Sequence, residues 1–231
     1  DYLVGAAQTS GSDDIMLFSN LGKAIRFNEY WEKSGNDEAE DADIETEISD
    51  DLEDETADNE NALPSGKHGV RPSGRGSGGL RGMRLPADGK IVSLITFAPE
   101  AAQSDLQVLT ATANGYGKRT PIADYSRKNK GGQGNIAINT GERNGDLVAA
   151  TLVGETDDLM LITSGGVLIR TKVEQIRETG RAAAGVRLIN LDEGEQLVSL
   201  ERVAEGPEDE SVSGEENTGE TNVTTEDNTP Q

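Results

Sequence analysis

Apolar residues occur along the chain in runs of no more than four or five, too short to span a membrane, and the breaks between them recur. Three segments share one layout: Asp13 to Phe27 (DDIMLFSNLGKAIRF), Leu106 to Thr120 (LQVLTATANGYGKRT) and Asp157 to Thr171 (DDLMLITSGGVLIRT). Each passes from an apolar run through a small polar turn into a second run that carries an Arg. The turn glycines are Gly22, Gly115 and Gly166, and Arg26, Arg119 and Arg170 follow four residues after them. Two strand-like runs bracketing a short Gly turn predict a β-hairpin in each segment.

A second element recurs downstream of each hairpin: GLRGMRL from Gly79, GNIAINT from Gly134 and GVRLINL from Gly185. Gly115 to Gly134 spans 19 residues and Gly166 to Gly185 also spans 19, whereas Gly22 to Gly79 spans 57, so the first copy carries 38 extra residues. A third element closes each copy: KIVSLI from Lys90, DLVAATL from Asp146 and QLVSLERV from Gln196. LVGAAQ from Leu3 reads as the same element of a preceding copy. A unit of about 50 residues with four short strands and Gly turns predicts an all-β, propeller-like fold, in which modules bury their faces against one another. The boundaries follow: 1–12 as the closing strand of a preceding blade, 13–100 as a blade interrupted by an insert at 32–69, 101–154 and 155–204 as further blades, and 205–231 as a tail. The chain reads as a piece of a longer protein.

Charge sharpens this division. The net charge is -22, from 43 acids and 21 bases. Residues 34–63 hold 14 of the acids and residues 205–231 hold nine, and neither segment has a Lys or Arg, which leaves 20 acids beside all 21 bases elsewhere. The foldable part is therefore close to neutral, and both acidic segments are expected to be disordered. With one Trp, four Tyr and three Phe, the core must be aliphatic, and base stacking on aromatic platforms is disfavoured.

The composition excludes much chemistry. There is no Cys, which removes disulfides, thiolate metal sites and a cysteine nucleophile. His68 is the only histidine, so neither a triad nor a zinc site assembles. Gly74, Gly76 and Gly79 spell G-x-G-x-x-G, but no strand precedes and no helix follows, as a dinucleotide site requires. The acid pairs Asp13-Asp14 and Asp157-Asp158 open hairpins, where Asp is a turn residue. No catalytic residue, metal ligand or cofactor site is expected.

Positive charge gathers instead in the loops after each hairpin: Lys67, Arg71, Arg75, Arg81 and Arg84, then Arg127, Lys128 and Lys130, then Arg177, Arg181 and Arg187. Glycines interleave with them. A cationic group recurring once per module would form a stripe along one rim, with backbone amides joining Lys and Arg around phosphates. For Arg26, Arg119 and Arg170 two readings stay open: contact with DNA from the outer strand, or pairing with acids such as Asp14 and Asp158.

The strings DDIMLFSNLGKAIRF, KIVSLI, LTATANGYGKRT, GERNGDLV, DDLMLITSGGVLIRT, GVRLINL and LVSLERVAE, in this order and followed by an acidic tail, resemble the C-terminal domain of the bacterial DNA gyrase A subunit. The resemblance covers roughly residues 2–31 and 67–205. It implies a β-pinwheel, a disc of propeller-like blades with exchanged strands, of which this chain supplies the last three. It further implies wrapping of duplex DNA on a basic rim within an ATP-dependent type II topoisomerase that introduces negative supercoils. The nucleophilic Tyr, the ATP site and its Mg2+ would lie elsewhere in an assembly of two A and two B subunits, in the bacterial cytoplasm at the nucleoid. The DNA-contacting candidates are Arg26, Arg71, Arg75, Arg81, Lys118, Arg119, Arg127, Lys128, Lys130, Arg170, Lys172, Arg177 and Arg181. Lys130-Gly131-Gly132-Gln133-Gly134 looks like a degenerate copy of the family's wrapping box, Q-[RK]-R-G-G-[RK]-G, whose full form belongs to a first blade absent here. The tail, beside the rim, would compete with DNA as an internal polyanion. The alternatives are the equivalent domain of topoisomerase IV and a propeller-type protein-interaction scaffold.

Overall fold

The computed structural model describes residues 2–30 and 69–203. The disorder expected of the insert and the tail, and the tail's competition with DNA, lie outside these residues, as do Lys67 and His68. Gly69, assigned above to the insert, is described: it packs against the Tyr30 backbone, and Val70 N–H donates to the Glu29 carbonyl at 2.8 Å. The described chain on either side of residues 31–68 is therefore held together, at Glu29–Tyr30 and Gly69–Val70.

The strands, in chain order, are β1 (Asp14–Ser19), β2 (Lys23–Asn28), β3 (Ile91–Phe97), β4 (Gln107–Thr112), β5 (Tyr116–Pro121), β6 (Asn135–Ile136), β7 (Leu147–Val153), β8 (Asp158–Thr163), β9 (Leu168–Lys172), β10 (Val186–Arg187) and β11 (Leu197–Val203). The predicted hairpins are β1–β2, β4–β5 and β8–β9, all antiparallel. Each turns identically: the N–H groups of Gly22, Gly115 and Gly166 donate to the carbonyls of Ser19, Thr112 and Thr163 at 2.9–3.0 Å, with φ of 72°, 78° and 83°. The turn thus ends on a left-handed residue, which glycine adopts without a Cβ penalty.

The third elements β3, β7 and β11 pair with β1, β4 and β8 and pack against one another at the hub. The second elements cross over. β6, from the second block, pairs with β2 of the first, and β10, from the third block, pairs with β5 of the second. The sheets are accordingly β3-β1-β2-β6, β10-β5-β4-β7 and β11-β8-β9. The second and third modules each complete their predecessor, GLRGMRL of the first block forms no strand, and sequence blocks and sheets do not coincide.

The same exchange explains the glycines a second time. A Cβ on Gly22 would meet the Ile138 carbonyl at 2.4 Å and one on Gly115 the Ile189 carbonyl at 2.9 Å, whereas Gly166 has open space around it. No module follows the third hairpin among the described residues. β9 thus lacks an outer neighbour, and Val167, Leu168 and Ile169 are 46, 60 and 38% exposed. At the other end, LVGAAQ forms no strand; Val4, Gly5 and Ala6 line a hub cavity of about 430 Å³ beside β3, β7 and β11.

The core lies between blades. Met16, Phe18, Val108, Ile122, Ile138 and Leu147 interlock the first blade with the second, and Leu109, Leu159, Leu161, Val173, Ile189 and Leu197 interlock the second with the third. Each such side chain, fully buried, stabilises by about 1.5–3 kcal/mol relative to exposure. A third cluster, Ile25, Phe27 and Met83 with Val70 and Leu85, caps the open face of the first blade. No helix among the described residues is long and apolar enough to cross a membrane.

Candidate nucleic-acid interface

The hairpin arginines resolve differently in each blade. Arg26 on β2 is 8% exposed, and its Nε and Nη2 donate to Asp14 Oδ2 at 2.8 and 2.5 Å. Nη1 donates to the Tyr125 carbonyl of the next module at 2.9 Å, and the guanidinium lies 5.3 Å from the Phe97 ring centroid. Arg119 on β5 repeats the interblade bond, from Nε to the Ile176 carbonyl at 2.6 Å, but Gln107 stands where the first hairpin has Asp14, and the Glu155 carboxylate comes only to 3.9 Å of the guanidinium. Arg170 on β9 keeps the acid, with Nη2 2.5 Å from Asp158 Oδ2, but no next module covers it, and it is 63% exposed. Of the two readings left open, the acid pairing is made by Arg26 with Asp14 and by Arg170 with Asp158, whereas Arg119 takes neither and donates its Nε–H to a carbonyl of the next module; the donors of Arg26 and Arg119 hold blades together.

Lys118 is also committed. Its side chain is fully buried, and Nζ donates to the Gly180 carbonyl at 2.7 Å and to the Arg181 carbonyl. Burial lowers its pKa to about 8. Arg127 closes onto the first blade, with Nε 2.9 Å from Asp14 Oδ1. Asp14 thus receives two guanidiniums and the Asn28 amide at 2.9 Å.

The Lys130–Gly134 loop is pinned as well. Gly131 and Gly134 have φ of 85° and 71°; Gly131 N–H donates to the Gly82 carbonyl and Arg84 N–H to the Gly132 carbonyl, both at 2.8 Å. The Gly131 amide is therefore engaged within the protein, not offered to an anion. Gly132 and Gln133 are exposed, Lys128 and Lys130 are half-buried, and burial lowers the Lys130 pKa.

What remains on the outside is a smaller set. Arg71, Arg75, Arg81, Lys172 and Arg177 are exposed, and Arg181 is half-buried. Lys172 has a loose partner in Glu174 at 3.8 Å; Arg71, Arg75, Arg81 and Arg177 have no carboxylate within ion-pair distance among the described residues. Two exposed cations outside the candidate set belong here: Arg143, and Arg187 on β10, which converge on Tyr116. Arg143 carries no repeat signal, because Ala87 and Glu193 stand at its counterpart positions. Only the exchange of β10 onto β5 brings the three together.

The family model of the DNA gyrase C-terminal domain, beta-propeller, matches residues 13–30, 68–98, 107–153 and 157–204. The DNA gyrase A subunit of Neisseria gonorrhoeae is 95% identical over 205 residues, covering 89% of this chain and 22% of that protein. The DNA gyrase A subunit of Aeromonas salmonicida is 41% identical over 221 residues, covering 91% of this chain and 23% of that protein. The chain thus spans under a quarter of the length of these relatives. Among solved structures, a DNA gyrase A C-terminal domain superposes with a TM-score of 0.59 at 22% identity, over 84% of this chain and 51% of that one. The C-terminal domain of DNA topoisomerase IV superposes at 0.60 with 18% identity, over 84% and 47%. At these identities the two structures speak for the fold.

Proposed function

The chain belongs to the DNA gyrase C-terminal domain family, and from that premise we propose that it is the part of a gyrase A subunit that binds and wraps duplex DNA. The observation that carries this reading is the family match across all three hairpins, joined to 95% identity with a gyrase A protein. The arrangement of charge supports it. Exposed Arg71, Arg75, Arg81, Lys172 and Arg177 lie outside the buried interblade contacts and have few acids to neutralise them. Such a surface holds DNA chiefly through phosphate neutralisation and counterion release, each phosphate adding about 0.9 to the salt slope. Bending a 20–30 bp stretch costs roughly 1–6 kcal/mol, so contacts must be distributed over several blades.

In this reading the domain delivers a wrapped segment to a type II topoisomerase that supercoils DNA, in a complex of two A and two B subunits at the bacterial nucleoid. Strand cleavage and ATP hydrolysis with Mg2+ belong to other parts of that assembly. The topoisomerase IV reading rests on shared fold alone, and the named relatives at 41% identity and above favour gyrase.

The test is the linking-number change of relaxed circular DNA incubated with a nicking-closing enzyme and the complete gyrase A protein. A positive shift, reduced by Lys172→Gln with Arg177→Gln, is expected. A complete protein that binds DNA but leaves the linking number unchanged would refute wrapping.

A further inference from the structure

The outer edge of the second blade carries a cationic cluster that the repeat does not account for. Tyr116 opens β5, Arg143 stands in the loop bridged by Gly141 and Gly145, and Arg187 ends β10 directly opposite Tyr116. The Arg143 guanidinium carbon lies 4.4 Å from the Tyr116 ring centroid and that of Arg187 lies 5.3 Å away. Arg187 Nη2 donates to the phenol oxygen at 2.7 Å and Nη1 to Asn190 Oδ1 at 3.1 Å; Arg143 Nη2 donates to the Gly185 carbonyl at 3.5 Å.

Neither guanidinium has a carboxylate within ion-pair distance among the described residues. Two like charges on one ring repel, and the ring's negative face together with the phenol oxygen offsets only part of that. Tyr116 registers both contacts, since its pKa is lowered by the hydrogen bonding of Arg187 and then of Arg143. An exposed site with two oriented guanidiniums and no internal counter-anion lacks one component, an external anion.

We propose that Arg143, Tyr116 and Arg187 form a preset clamp for the phosphodiester backbone of duplex DNA at the junction of the second and third blades. The clamp rests on the DNA-wrapping reading above and deepens it. The ring holds both guanidiniums in place before DNA arrives, which reduces the side-chain entropy lost on contact, and guanidinium forks match phosphate oxygens bidentately. Among the described blades the clamp is confined to this one. At the equivalent positions the first blade and its donated strand have Lys23, Ala87 and Ile136, and the third block has Val167 and Glu193. It also depends on two modules, since Arg187 reaches Tyr116 only when the third block donates β10.

The experiment measures the affinity of the complete gyrase A protein for linear duplex across a salt series. Arg143→Gln with Arg187→Gln is expected to weaken binding about tenfold and to reduce the log–log salt slope by about 1–2. Arg143→Gln alone, which leaves β10 untouched, is expected to give about half that slope change, and Arg143→Lys with Arg187→Lys to restore the slope with weaker binding. Lys172→Gln with Arg177→Gln, away from the clamp, reports on the wrapping surface by itself. If that pair lowers the slope and the clamp variants do not, the clamp is refuted and wrapping stands. If neither lowers it, the DNA reading falls and takes the clamp with it. If the clamp variants impair binding of poly-glutamate while leaving the DNA slope intact, the anion is an acidic protein segment and the proposal is overturned.

Discussion

Asp14 and Asp158 occupy the same place in two copies of one motif, each the second acid of an Asp pair and each twelve residues before the Arg it binds. Replacing each by Asn tests whether burial sets the strength of the pair. Asp14 is fully buried and receives Arg26 at 2.5 Å, Arg127 at 2.9 Å and the Asn28 amide at 2.9 Å. Asp14→Asn leaves two guanidiniums facing a neutral amide in a desolvated site, and removing one partner of such a pair costs about 3–5 kcal/mol. Asp158 meets only Arg170, which is 63% exposed, so Asp158→Asn is expected to cost no more than about 1 kcal/mol. Hydrogen exchange of the β1–β2 and β8–β9 amides reads each blade separately, as a repeat protein requires. The expected result is a large loss of protection across β1–β2 in the first variant and a small one across β8–β9 in the second. Equal losses, or a loss under about 1 kcal/mol for Asp14→Asn, would refute the argument that the next module's cover makes the pair strong.

Lys118 gives a pH dependence. Its folded pKa, lowered to about 8 by burial, lies below the ordinary 10.5, so between these values the unfolded chain holds a proton that the folded protein has released. Stability is expected to rise with pH across that window, and Lys118→Met to remove this rise, as read from urea midpoints at several pH values. Gly134→Ala and Gly79→Ala both place a Cβ at positive φ, at a cost of about 1–2 kcal/mol. Only at Gly134 would that Cβ also meet backbone, the Ala24 carbonyl at 2.5 Å, which adds about 1–3 kcal/mol; thermal melts are expected to rank Gly134→Ala well below Gly79→Ala.

The repeating units are legible in the chain before any folding is considered. Hairpins, turn glycines and closing strands follow from local rules, namely short apolar runs, a left-handed residue at the turn and a fixed spacing, and these are written into about 50 consecutive residues. Segregation of acids into two segments is equally local. Which module completes which sheet was decided only in three dimensions, because β6 and β10 are short and their partners lie in the previous block, a pairing that no local pattern encodes. That exchange then sorted the cations. Arg26 and Arg170 look alike in sequence, but one is covered by the following module and the other is not. Lys118 is a surface residue by type and a buried one by position, since the 180–181 loop folds over it. Arg143 and Tyr116 carry no repeat signal and became a candidate site only when strand exchange placed Arg187 beside them. The chain encodes its strands through near neighbours, whereas burial, and with it the choice between a structural and a DNA-facing cation, depends on which distant segment packs on top.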